Sequence, residues 1–201
     1  MKRFIAAILL AAALGARAGD PIGAAVETYF SGLFAKLGEV AAREPTCDTF
    51  RAAMRPAAES ADGFYGASLI SADFVIEQSY YKIHAPANGY DLKKVKELDD
   101  FRALMAQSPA PQLSEPGRGT LFQPKLISLR YPVIINGKLR NIVSMMIRTE
   151  SFLDATGLER CRAYRIICRG RTAETKGVLS GRYREIKLIL PSTDWIIQYD
   201  P

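Results

Sequence analysis

The chain is 201 residues long and carries 27 Lys+Arg against 21 Asp+Glu, three cysteines and one histidine. A single His, with Cys spacings that match no zinc motif, excludes the usual zinc sites and most His-dependent catalytic triads. No H-E-x-x-H, phosphate loop or helix-opening G-x-S-x-G occurs, so the composition points away from an enzyme and from any bound metal or cofactor.

Residues 1–18 read as a secretory signal peptide. Lys2 and Arg3 precede the apolar run 4–14, and Ala16-Arg17-Ala18 supplies a small-x-small cleavage site. That run is shorter than the ~20 residues a membrane-spanning helix needs. Cleavage after Ala18 would leave residues 19–201 as one exported domain, in the periplasm or secreted. Lys2, Arg3 and Arg17 fall in the leader; 27 basic residues less these three leaves 24 against 21 acids, a balance of +3. The densest basic stretch, 160–171 (RCRAYRIICRGR), alternates like an exposed strand face, so no nucleic-acid partner is expected.

The spacing then predicts a helix over 21–43, with Asp20 as N-cap and Pro21 in the first turn. Ile22, Val26, Tyr29, Phe30, Leu33, Phe34, Leu37 and Val40 make its apolar stripe, and Pro45 ends it. Thr46 or Asp48 caps a second helix to about Ser60, and Asp62-Gly63 turns the chain. Residues 64–70 and 74–81 read as strands, and 91–107 as a helix. The segment 108–119 is a loop by its Pro and Gly content. Two β-branched runs then flank Asn136-Gly137, the strongest short signal for a tight hairpin. A short helix begins near Phe152. A strand at 163–168, a polar turn at 169–177, a strand within 178–190 and a last strand at 194–199 complete the order. This is an α+β fold, with helices packed on an antiparallel sheet.

In an oxidising compartment Cys47, Cys161 and Cys168 leave two readings open: a bridge from Cys47 to one of the others, or three reduced, buried thiols. Cys161 and Cys168, seven apart in an extended strand, would face opposite sides too far apart to bond.

The order of elements resembles the Cache domains, the extracytoplasmic PAS-like sensors of bacteria. The resemblance rests on the long first helix, the 64–78 strand pair, the helix before a Pro/Ser-rich loop, the hairpin ISLRYPVIINGKLRNIVSMMI and the closing TDWIIQYDP. It implies a PAS-like sheet whose pocket lies between the sheet and the segment joining the first strands to the hairpin. It implies a small-molecule ligand, a membrane sensor or transporter as partner for an exported single domain, and a homodimer through the N-terminal helix. Members that bind amino acids place an acid near the end of the strand after the hairpin, and the matching position here is Met146. Their Tyr…Arg-x-Trp-Tyr motif is also missing, so the resemblance disfavours an amino acid.

Candidate ligand residues follow from the alternation of the two hairpin strands. Ser128 and Arg130 share one face; Leu129, Tyr131 and Val133 share the other. Arg130 is either an edge charge or a fork for a carboxylate. Ser144 and Met146 share a face, with Arg148 just beyond. Tyr80 and Tyr81 either rim the pocket or plug the helix–sheet interface, and His84 follows them. Lys125 is an anion contact or a solvated lysine. Glu97, Asp99 and Asp100 read as a solvated helix face, and Trp195 as core. The expected function is an exported sensor domain for a small organic ligand, a carboxylate among the candidates. The alternative is a non-catalytic accessory scaffold without a pocket.

Overall fold

A computed structural model of the protein describes residues 19–81, 87–117 and 124–201. The signal-peptide assignment and His84 lie outside the described residues. Helix α1 (Pro21–Ala42) starts where Asp20, in extended conformation, accepts hydrogen bonds from the Ile22 and Gly23 backbone N–H groups, both at 3.0 Å. Its apolar stripe is buried over Val26, Phe30, Leu33, Phe34, Leu37 and Val40. Helix α2 (Phe50–Ser60) starts after Thr49, later than the caps read from the sequence.

Strands β1 (Phe64–Ser71) and β2 (Ile76–Tyr81) pair antiparallel. The second strand begins after the expected position because Phe74 takes a positive φ of 62°. The expected helix over 91–107 is broken. Asp91 bridges to Val75, and the Leu92 backbone N–H donates to the Phe74 carbonyl at 2.9 Å, which holds this stretch to the sheet. Two 3-10 turns, Leu92–Lys94 and Lys96–Leu98, therefore precede the true helix α3 (Asp99–Gln107). The loop expected over 108–119 contains a two-residue strand, β3 (Gln112–Leu113).

β4 (Leu126–Ile135) and β5 (Lys138–Arg148) form the expected hairpin, with Asn136 at φ 52° and Gly137 at φ 75°. Both central residues of a type I′ turn need that left-handed geometry. The five strands lie in the order β2-β1-β5-β4-β3. Helix α4 (Thr149–Ala155) follows.

The C-terminal strands correct the sequence reading. β6 (Ala163–Cys168), β7 (Arg171–Lys176), β8 (Arg184–Leu190) and β9 (Thr193–Asp200) form a second sheet, in the order β7-β6-β9-β8. The stretch read as a polar turn is mostly β7; only Arg169-Gly170 turns, both at positive φ. Cys47, Cys161 and Cys168 are all free thiols.

α1 lies across both sheets. Near its start Gly23 sits beside Ile186 and Leu188 of β8, and near its end Gly38 sits beside Tyr131 of β4. One continuous core results, joining α1 and α2 to Leu129, Val143 and Met145 of the first sheet and to Ile166, Trp195 and Ile197 of the second. A smaller core covers the other face of the first sheet, where α3 places Phe101 and Met105 on Ile70, Ile76 and Ile142. Among the described residues no helix is long and apolar enough to cross a membrane.

Candidate functional site

The register of the first sheet builds a polar row across its α3-covered face. Ser79 of β2 pairs with Ser68 of β1, Ser68 with Ser144 of β5, Ser144 with Arg130 of β4, and Arg130 with Gln112 of β3. Directly paired residues point to the same side, so five strands contribute one side chain each to a single line. All five residues are buried, with Arg130 only 8% exposed. The next row on one side is Tyr81, Gly66, Met146 and Ser128; on the other it is Ile76, Ile70, Ile142 and Pro132. A hydrophilic stripe thus runs between mostly apolar ones, on a face where a helix-covered sheet would ordinarily be apolar.

Arg130 is the centre of this face. Its Cζ lies 4.2 Å from the centroid of the Phe101 ring on α3, a cation–π contact that orients the group without neutralising it. Its guanidinium has no acid partner among the described residues, and burial lowers its pKa from the ordinary arginine range to about 10. Gln112 is committed elsewhere, since its Nε2 donates to the Phe101 carbonyl at 3.5 Å. The Ser79 hydroxyl donates to Asn88 Oδ1 at 2.7 Å, and Asn88 Nδ2 donates to Gln78 Oε1 at 2.8 Å. The hydroxyls of Ser68 and Ser144 form no hydrogen bond to any described residue.

The structure brings together most of the residues singled out in the sequence. Ser128, Arg130, Ser144 and Met146 share this face with Tyr81. The Tyr81 ring lies directly on Gly66: a Cβ added there would sit 2.2 Å from the ring. Arg148 stands at the rim, paired with Glu150 at 3.2 Å and 5.6 Å from the Tyr65 ring centroid. Two residues lie elsewhere. Tyr80 points to the opposite, α2-covered face, its ring 5.9 Å from that of Phe64, because its neighbour Tyr81 takes the site side and strand residues alternate. Lys125 holds both Glu174 carboxylate oxygens at 2.9 Å, in a separate cleft of about 190 Å³ between the sheets. Its charge is therefore already matched.

Ser68, Ser79, Gln112 and Phe101 were not singled out from the sequence. Ser68 carried a readable signal, as it alternates with Phe64, Gly66 and Ile70 along β1. Gln112, between proline-rich neighbours in an apparent loop, carried none.

The electrostatics of the face are one-sided. None of the strand residues on it is acidic. Asp99 and Asp100 of α3 point to solvent and pair with Arg102 and Arg169. A buried cation beside two serine hydroxyls, with no carboxylate on the facing strands, can accept an anion and hydrogen-bond its substituents.

No protein-family model matches this sequence, and no curated protein sequence matches it. Solved structures match in fold. An extracellular ligand-binding receptor from Desulfohalobium retbaense aligns with TM-score 0.65 at 14% identity, covering 89% of this chain. This chain spans only 39% of that receptor's length. The ligand-binding domain of the Pseudomonas aeruginosa amino-acid chemoreceptor PctC, in complex with GABA, aligns with TM-score 0.62 at 12% identity, over 88% of this chain and 94% of that one. The ligand-binding domain of the Pseudomonas fluorescens chemoreceptor CtaA, in complex with L-serine, aligns with TM-score 0.63 at 13% identity, over 89% and 91%. The shared property is the fold, which is that of Cache-type ligand-binding domains.

Proposed function

We propose that this Cache-fold chain is an exported, non-catalytic sensor domain that binds a small organic carboxylate on Arg130. One observation carries the reading: a guanidinium held 8% exposed on a helix-covered sheet face, with no acid partner among the described residues. An unpaired buried charge costs stability, so a fold that keeps one gains from a ligand that pairs with it. Ser128 and Met146 flank the anion, Tyr81 closes one side, and Arg148 stands at the entrance. In this reading residues 1–18 act as a signal peptide that exports the domain to the periplasm, and a membrane sensor or transporter is the partner that takes up its signal. A homodimer through α1 belongs to the same proposal. The outward side of α1 offers Ala24, Thr28, Ser31, Ala35 and Ala42, all exposed and small enough for close approach. Sedimentation at rising protein concentration checks this, with a monomer at every concentration rejecting the dimer.

Thermal melting in the presence of small carboxylates tests the binding. A ligand at a hundred times its Kd stabilises the fold by about 2.7 kcal/mol, a shift of several degrees. The shift should vanish in Arg130→Met. Absence of any shift in a protein that melts cooperatively would favour the accessory scaffold instead.

A further inference from the structure

The polar row contains more than Arg130, and its hydrogen-bonding state is uneven. Ser79 is satisfied by Asn88, and Gln112 by the Phe101 carbonyl. Between these two ends lie Ser68, Ser144 and Arg130, on three adjacent strands about 4.8 Å apart. Ser68 is 4% exposed and Ser144 7%, yet neither hydroxyl bonds a described residue. Each hydroxyl offers one donor and two acceptor positions to a ligand. Ser68, Ser144 and Arg130 are contiguous, and the hydrogen-bonded Ser79 and Gln112 bound them on both sides.

Among the described residues, the strands of this face offer nothing for a positive group. No strand residue on it is acidic, and Asp99 and Asp100 are turned outward to Arg102 and Arg169. An ammonium placed along this row would face a buried guanidinium of like charge, with no carboxylate to offset its desolvation. The flanking rows, Gly66 with Met146 and Ile70 with Ile142, suit a hydrocarbon skeleton.

We infer that the ligand is a hydroxycarboxylate without an ammonium group, its carboxylate on Arg130 and its hydroxyl on the Ser144–Ser68 pair. This inference rests on the carboxylate reading of Arg130. Each serine can accept the ligand hydroxyl's proton in a hydrogen bond and donate its own, which a deoxy acid cannot use.

Isothermal titration of the purified protein with matched acids tests it. The probes are propanoate, 2-hydroxypropanoate and 2-aminopropanoate, together with butanoate, 3-hydroxybutanoate and 3-aminobutanoate. In at least one series the hydroxy acid should bind about fivefold or more tighter than its deoxy partner, the effect of one net hydrogen bond. The amino acid should bind weakest. Ser144→Ala or Ser68→Ala should erase the hydroxyl preference. Equal binding of hydroxy and deoxy acids in both series, or tightest binding of an amino acid, would overturn the hydroxycarboxylate inference. It would leave the carboxylate reading standing, provided Arg130→Met abolishes binding. Binding of no acid, or binding undiminished in Arg130→Met, would remove the carboxylate reading and this inference with it.

Discussion

Arg130 shows how one residue can be costly to the fold and still be kept. Its guanidinium is buried against Phe101 with no acid partner among the described residues. Replacing such a charge with an apolar side chain of similar length generally stabilises a protein. Arg130→Met should therefore raise the melting temperature of the unliganded protein, even as it abolishes the ligand-induced shift. A lowered unliganded melting temperature in a calorimetric scan would mean that Arg130 is structural. Asp200 is the contrasting case, a buried charge that is fully matched. Its carboxylate accepts from the Ser180 backbone N–H at 2.7 Å, from the Ser180 hydroxyl at 2.8 Å and from Arg162 at 2.8 Å. These partners, the Ser180 N–H foremost, hold its pKa below the ordinary 3.8 against the opposing effect of burial. The stability it contributes is complete above 3.8 and is lost as the pH falls through the folded-state value. Asp200→Asn should lower the melting temperature at neutral pH and make the loss of stability below about pH 4 shallower than in the parent. Melting curves taken from pH 7 down to pH 2 check both effects.

At the scale of elements, the start of α1 does two things. Asp20 caps the helix through Oδ1, and its Oδ2 accepts the Tyr199 hydroxyl of β9 at 2.6 Å. The cap thereby fastens the first helix to the last strand. Asp20→Ala should cost about 1–2 kcal/mol, from the lost cap and the stranded tyrosine hydroxyl. Asp20→Asn should cost less because it still caps; urea titration of both variants measures the difference. The elements also show which local signals are readable. Asn136-Gly137 was legible because few other dipeptides tolerate two positive φ values, and α1 because eight apolar residues keep one spacing. Arg169-Gly170 makes a turn of the same hand, but arginine at positive φ is unusual, so the hairpin of β6 and β7 went unread. The helix expected from residue 91 was overridden by its bridge to Val75, a tertiary contact that no local pattern reveals.

At the scale of the whole molecule, α1 ties the two sheets together. The Phe30 ring stacks on Phe152 at 5.1 Å and meets the edge of Trp195 at 5.4 Å, in the core that both sheets share. The sheets should therefore unfold together. Fluorescence of Trp195, the only tryptophan and buried in the second sheet, should trace the same urea transition as far-ultraviolet circular dichroism. Phe30→Ala should move both curves by the same amount, about 3–5 kcal/mol. Separate midpoints would show that the second sheet unfolds on its own.

The amino-acid sequence by itself determined the long helix, the central hairpin and the side of β4 and β5 on which Ser128, Arg130, Ser144 and Met146 stand. These follow from periods of 3.6 and 2 and from turn chemistry, which are local properties of the backbone. Only the tertiary structure decided that the last four strands form a second sheet, that Lys125 is consumed by Glu174, and that Tyr80 points away from the site. Only it aligned Ser79, Ser68 and Gln112 with Arg130. Strand order and register join residues far apart in the chain. What selects among those pairings is the burial of the faces against α1 and α3, a choice that no short stretch of sequence contains.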